Sequence, residues 1–483
     1  MSHFTDQDAP IHYADQVSTP ETQASVAEYN RSREVVHTAL ESGEIDAIRE
    51  VILDELHARR SEDLTGLSTE AQVEKLVSRS HEILPSEELA TRISASKETG
   101  VPLRVKYGID PTGSDVHIGH AVPMLILDRM RRMGHHITFI VGDFTAKIGD
   151  PSGRVSSRPV LSDEQIAKNM ETYTQQIAPL FDMDGVEVVH NGDWLNQYPL
   201  NELMGVLSKV SASQTLQRND FRGRLDSGLT LSELMYPVVM AIDSVKLDTD
   251  VEIGGKDQLL NMQMCRTVMD IYGKKPEVII TTDIMEGTDG SGRKMGKSFN
   301  NYVGLTQEPT EIFGRVMSIP DTLMEQYFKM ITELETSEWD QLKKLMDEKI
   351  LNPMEVKKIL AYDLVHVLHG EEQAAQAETD FMTKFSKKNY AEISDAPELA
   401  VEAGTDSNEV IGLVAGMLAS IRGKSVSNGE VRRIIGQGGV RVITPEGEVQ
   451  TVKTPEAMGE IIPGISVKIG KAIIRITDKE VNL

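Results

Sequence analysis

Between residues 103 and 282, short strand-like apolar runs alternate with longer helical ones, and this alternation constrains the fold more than any other feature. The strand-like runs are Leu103–Ile109, Ile137–Val141, Val186–His190, Val251–Ile253 and Glu277–Thr282. Helical spacing separates them over 121–133, near 163–183 and over 257–272. Parallel neighbours need a long crossover, usually a helix, so the pattern predicts an α/β fold with a parallel sheet wrapped by helices. Ligands in such sheets bind beyond the carboxyl ends of the strands, which makes the residues after each strand the first candidates for a site.

The flanks read differently. Residues 1–45 are polar and irregular and are expected as a flexible, at most weakly helical, extension. Ala47–Arg60 and Glu70–Ile83 show helical apolar spacing with charged faces. From about 308 to 393 the pattern is wholly helical, and 394–408 reads as an acidic linker. Beyond it, 409–483 reads as a small module. Helices are expected at about 409–420 and 427–436, with strands at Val440–Ile443, Glu448–Val452, Ser466–Ile469 and Ala472–Ile476. The formal net charge of −25 argues against nonspecific nucleic-acid binding by the whole chain. Residues 408–483 reverse that balance, with ten Lys/Arg against eight Asp/Glu. No apolar run nears the roughly 18 residues of a membrane span. Neither a membrane partner nor a secretory leader is expected, and the cytoplasm is the expected compartment. The single cysteine, Cys265, rules out an internal disulfide and a Cys-rich zinc site.

Two motifs carry chemistry. Pro111-Thr112-Gly113-Ser114-Asp115-Val116-His117-Ile118-Gly119-His120 lies where a strand gives way to a helix, whose N-terminal N–H groups and dipole favour phosphate. Gly119 has no side chain, so a flat purine ring has room against the backbone. Far downstream, Gly290-Ser291-Gly292-Arg293-Lys294-Met295-Gly296-Lys297-Ser298 places two ammonium groups three residues apart in a glycine-rich loop. Such a clamp suits a departing pyrophosphate, whose charge it stabilises as it develops. Alone, each motif also fits an ordinary polar turn; together and in this order they do not.

The pair resembles the HIGH and KMSKS signatures of class I aminoacyl-tRNA synthetases, with Gly296 where serine is usual. Three further blocks narrow the resemblance: Gly142 to Arg154, Met235 to Asp243, and Gly254-Gly255-Lys256-Asp257-Gln258. In the second, Tyr236 and Asp243 stand seven apart and so share one helix face. Together they are similar to tyrosyl-tRNA synthetases of bacterial type, from about residue 50 to the C-terminus. The resemblance implies a Rossmann-like catalytic domain over 46–307, with an inserted dimerisation segment at about 155–235. A helical anticodon-side domain over 308–393 and an S-four-like α+β RNA-binding domain over 409–483 would follow.

By the same resemblance His117, His120, Lys294 and Lys297 are catalytic. Gly108, Asp110, Gly119, Asp257, Lys297 and Ser298 contact ATP. Tyr236, Asp150 and Gln258 hold the ammonium group of the amino acid, Asp243 accepts the phenol hydroxyl, and Lys106 lies beside it. Magnesium is expected on the ATP phosphates, with no metal held by the protein. The partners implied are tRNA(Tyr), tyrosine, ATP and a second copy of the chain. Ser427 to Val442 resembles the S-four domain, so Arg432, Arg433, Lys468, Lys471 and Arg475 are expected on RNA phosphates.

The residues support that chemistry independently. A carboxylate is already ionised at neutral pH and needs no general base to attack the α-phosphorus. Catalysis then reduces to alignment and charge stabilisation, and no nucleophile–base triad is required. Met240, Ile242 and Lys256 depart from the usual family residues near the amino-acid pocket. Two alternatives therefore stay open: a divergent paralogue with another amino acid or acceptor, and an RNA-binding protein without catalysis.

Overall fold

The computed structural model describes residues 20–111, 116–152, 162–217, 219–222, 229–383, 397–400, 406–423, 425–443, 449–454, 465–469 and 472–477. The chain divides into two compact units, residues 1–374 and 375–483. The division precedes the linker expected at 394–408, within the helix Glu371–Phe381.

The first unit is built on a six-stranded sheet of β1 (Glu82–Leu84), β2 (Arg104–Ile109), β3 (His136–Val141), β4 (Glu187–His190), β5 (Val251–Gly255) and β6 (Val278–Thr282). Their order is β1-β6-β5-β2-β3-β4, and every pairing is parallel except that of β1 with β6. All five expected strands are present within a residue or two. The inner strands are buried on both sides: β6 is inaccessible along its length and β3 is buried after its first residue, whereas the edge strand β4 is largely exposed. The chain runs from β2 outward to β3 and β4, then returns to β5 on the other side of β2. The crevice between β2 and β5 is therefore a topological switch point.

Three local expectations are corrected. The helix expected over Glu70–Ile83 stops at Val77, and Ile83 lies in β1 opposite Ile280. A partner about 200 residues away decides that strand, and local spacing could not reveal it. Residues 20–42, expected within a flexible extension, form the helix Pro20–Ser42. Val26, Tyr29, Val36 and Leu40 bury one face of it, too sparsely to stand out in a polar sequence. Arg33 on this helix is clamped between Glu62 at 2.7 Å and Glu335 at 2.8 Å. Third, part of the expected linker is strand, as the second sheet shows.

That sheet belongs to the second unit and comprises β7 (Glu398–Ala400), β8 (Val440–Ile443), β9 (Val449–Val452), β10 (Ser466–Ile469) and β11 (Ala472–Thr477). Their order is β7-β11-β10-β8-β9. β7 falls within the expected linker; it is recruited by parallel pairing with β11 rather than by its own pattern. Helices Ser407–Arg422 and Asn428–Gly436 supply Val410, Val414, Leu418, Val431 and Ile435 to the core, against Val440, Val467, Ile469 and Ile474. Among the described residues no helix is long and apolar enough to cross a membrane.

Candidate active site

A cavity of about 500 Å³ opens at the carboxyl ends of β2, β3, β5 and β6, at the switch point. Every residue expected to bind ATP or amino acid lines it except Ser298, which is exposed in the short turn Lys297–Phe299. Residues 112–115 of the histidine motif and 153–161, which include the last two residues of the Gly142 to Arg154 block, lie outside the described residues.

His117 ends β2's connection in extended conformation, and the helix Ile118–Arg132 starts after it. The two imidazoles stack, with ring centroids 3.7 Å apart. His120 Nδ1 accepts from the backbone N–H of His117 at 3.3 Å, which orients its ring. Among the described residues His117 Nδ1 is buried without a close hydrogen-bond partner. Burial, then His120 and Lys297, push His117 down to about 3; burial, then Lys297 and Lys294, push His120 down to about 4. Both rings are therefore neutral at pH 7. They serve as directed hydrogen-bonding groups, and the positive charge comes from the lysines. Gly119 has a sharper reason than purine contact alone: a Cβ there would lie 3.1 Å from the His117 ring.

Lys294 and Lys297 line the mouth and are exposed. Gly296 between them has φ −175°, extended backbone that any residue adopts, and a Cβ would meet only ordinary contacts. The departure from serine thus has no steric cause.

The wall after β3 is fixed by Gly142, because a Cβ there would lie 2.2 Å from Asp110 Oδ1. That close approach lets Thr145 Oγ1 donate to Asp110 Oδ1 at 2.6 Å, while Tyr236 Oη donates to Asp110 Oδ2 at 2.9 Å. Asp150 accepts from Gln258 Nε2 at 2.9 Å, Asn261 Nδ2 at 3.2 Å and the N–H of Ser152 at 3.0 Å. Asp257 is raised by burial, with Lys294 pulling the other way. Gly108 lines the same wall.

The floor is almost inaccessible. Asp243 Oδ1 accepts from Trp194 Nε1 at 2.8 Å, and its Oδ2 from Asn191 Nδ2 at 3.2 Å. Burial pushes its carboxyl up to about 6, against the opposing pull of Lys106 and of those two donors. Tyr236 and Asp243 both face the cavity, as their spacing requires. Lys106 lies 2.6 Å from Glu252, both 2% exposed. Burial opposes either charge, yet each partner holds the other ionised. Glu277, buried beside Glu252, is pushed well above the usual carboxylate range by burial and by that neighbour. Lys106 thus faces the cavity with its ammonium already engaged.

Met240 lines the cavity, but the other two departures do not. Ile242 packs with Leu195 and Val239, and Lys256 pairs with Asp283 at 2.9 Å. Sequence reasoning passed over Thr145, Asn191, Trp194, Glu252 and Asn261. Only Thr145 had a signal, its place in the Gly142 block; the others gain their meaning from partners far along the chain.

In the second unit, Arg432 and Arg433 are exposed on their helix, and Arg432 Nη2 donates to Asn408 Oδ1 at 2.7 Å. Lys468 is the cross-strand neighbour of Arg441, and Arg475 is that of Ser466, so all three basic residues share one sheet face. Arg441 was not among the expected contacts. Lys471 lies outside the described residues.

A family described as tRNA synthetases class I (W and Y) matches residues 97–386. A tyrosine–tRNA ligase of Thermotoga maritima is 37% identical over 409 residues, 84% of this chain and 96% of that protein. One from Aquifex aeolicus is 38% identical over 392 residues, 81% and 94% of the two chains. Among solved structures, the tyrosyl-tRNA synthetase of Archaeoglobus fulgidus, complexed with L-tyrosine, shares the fold with a TM-score of 0.53 at 19% identity. It covers 64% of this chain and 99% of its own.

Proposed function

Because the chain belongs to the class I tRNA synthetases (W and Y), among their tyrosine–tRNA ligases, we infer that its cavity takes tyrosine and ATP and serves the charging of tRNA. The observation that carries the residue assignments is a cavity with two unlike regions. Its mouth has two ammonium groups and two neutral imidazoles; its floor has a buried carboxylate already held by two donors.

At the floor, Asp243 accepts the phenol hydroxyl on its remaining lone pairs. Asp150, Tyr236 and Gln258 surround the ammonium group, with Asn261 holding Asp150 and Gln258 in place. The tyrosine carboxylate attacks the α-phosphorus of ATP: a new P–O bond forms, the bond to the β-phosphate oxygen breaks, and pyrophosphate leaves with the electron pair. His117 and His120 donate hydrogen bonds to the phosphates, and Lys294 and Lys297 stabilise the charge that develops on the leaving group. Gly108, Gly119, Asp110 and Asp257 bound the nucleotide, and Ser298 closes over it from its turn. Magnesium enters with ATP as part of the substrate. A ribose hydroxyl at the 3′ end of tRNA then attacks the tyrosyl carbonyl, the new ester bond forms as the bond to the phosphate oxygen breaks, and AMP leaves; the tRNA phosphates meet Arg432, Arg433, Lys468 and Arg475.

A homodimer is part of the same reading. On the helix Leu200–Leu207, Leu200 and Met204 are 72% and 57% exposed, and Leu231 is 78% exposed. Apolar side chains this open within 155–235 suit a second copy. The reaction belongs to the cytoplasm in this reading, in keeping with a free, buried Cys265. Pyrophosphate exchange measured with each of the twenty amino acids, followed by charging of tRNA(Tyr), tests the whole. Tyrosine should stimulate exchange above every other amino acid; silence with tyrosine would overturn the reading.

A further inference from the structure

Asn301 is 1% exposed and lies just beyond the lysine loop. Its Oδ1 accepts from the backbone N–H of Gly296 at 2.9 Å, between the two lysines. Its Nδ2 donates to Asp289 Oδ1 at 3.2 Å, at the start of the loop, and reaches the carbonyl of Lys294 at 3.5 Å. Its own carbonyl accepts from the N–H of Thr288 at 2.9 Å. One amide therefore grips both arms of the loop. Gly287 makes the space for it: a Cβ there would fall 2.0 Å from Asn301 Nδ2.

The segment after Asn301 grips the other motif. The N–H of Ile118 donates to the carbonyl of Val303 at 3.0 Å, and the N–H of Leu305 to the carbonyl of Val116 at 3.0 Å. His117 and Gly304 form an isolated β-bridge between these bonds. Five consecutive residues thus join the lysine loop to the histidine turn, although about 175 residues of chain separate the two motifs.

We propose that Asn301 is a positioning residue for amino-acid activation, fixing the lysine loop to the segment that carries the histidine turn so that Lys294 and Lys297 meet the leaving pyrophosphate in register. The proposal rests on the lysine assignments made above. Ammonium groups on flexible stems act at full strength only where their backbone is fixed, and a misplacement of about 1 Å costs on the order of a hundredfold in rate.

A double-mutant cycle tests it in the full chain. Asn301→Ala should lower kcat for tyrosine-dependent pyrophosphate exchange by roughly 10- to 100-fold and leave the KM for tyrosine unchanged. In a background lacking both ammonium groups (Lys294→Ala with Lys297→Ala) the same substitution should cost less than about twofold, since its effect runs through those two lysines. An equal loss in both backgrounds, or none in the parent, would overturn the role of Asn301. If Lys297→Ala alone leaves exchange intact, the assignment of the lysines fails and takes the proposal with it. Asn301→Asp keeps the acceptor for Gly296 but sets an oxygen against Asp289 and the Lys294 carbonyl in place of the donor, so it should also lower kcat. Should Asn301→Ala not fold, this isosteric variant decides the question: undiminished kcat would overturn the proposal. Thermal unfolding, followed alongside, reports the folded fraction to which each kcat is referred.

Discussion

The mouth and the floor of the cavity handle charge in opposite ways. At the mouth, Lys294 and Lys297 are exposed, their loop is held by backbone and amide hydrogen bonds, and the imidazoles beneath are neutral. At the floor, Lys106, Glu252, Glu277 and Asp243 are all 3% exposed or less. There Lys106 pairs with Glu252, and burial raises both Glu277 and Asp243. The difference teaches which property each region sustains. Solvated lysines cost little to keep charged and can follow a phosphate. Buried charges stand only while their partners stand, so the floor is bound up with stability and selectivity.

That contrast can be broken experimentally. The largest effect is expected at the floor. Glu252→Gln leaves the Lys106 ammonium buried without its counter-charge, which should cost about 3–5 kcal/mol of stability. A lowered denaturant midpoint checks it, and an unchanged midpoint would mean that water reaches Lys106. Lys294→Ala should behave in the opposite way. Exchange should fall by roughly 10²–10³-fold with the same unfolding midpoint as the parent. Loss of stability there would erase the distinction between the two regions.

Next comes Asp243→Asn. Its amide cannot serve as the same acceptor once Trp194 and Asn191 are satisfied, so discrimination of tyrosine from phenylalanine should drop by about 1–3 kcal/mol. The ratio of kcat/KM for the two amino acids measures it. The parent's pH dependence gives a smaller version of the same effect. As pH falls through about 6, Asp243 takes up a proton and the KM for tyrosine should rise. His117 and His120, at about 3 and 4, stay neutral through that window. A rise in KM for ATP instead would move the titrating group to the mouth. The smallest effect belongs to Gly296→Ser. Serine has space and an accessible φ there, so exchange should change by less than about twofold.

Much of this site was legible in the sequence because it sits on strand ends. His117 and His120 follow β2, the Gly142 block follows β3, and Asp257 and Gln258 follow β5. A strand, a turn and a helix start are local events, written in residues within a few positions of one another. Tyr236 and Asp243 were likewise placed on one face by helical periodicity alone. What escaped were partners without local signature. Trp194 and Asn191 reach Asp243 from about 50 residues away, and Glu252 meets Lys106 from 146 residues away. The helix Pro20–Ser42 escaped because its buried residues are few and its ion pairs lie with Glu62 and Glu335.

By itself, then, the sequence determined the kind of chemistry and the order of the elements that deliver it, since both depend on residue type and short-range spacing. The tertiary structure alone decided the charge states. Burial and the nearby lysines push the histidines down, and burial raises Glu277 and Asp243, because a group's ionisation follows what surrounds it in space rather than in the chain. It also decided that Asn301 and its neighbours join two motifs that the sequence keeps far apart.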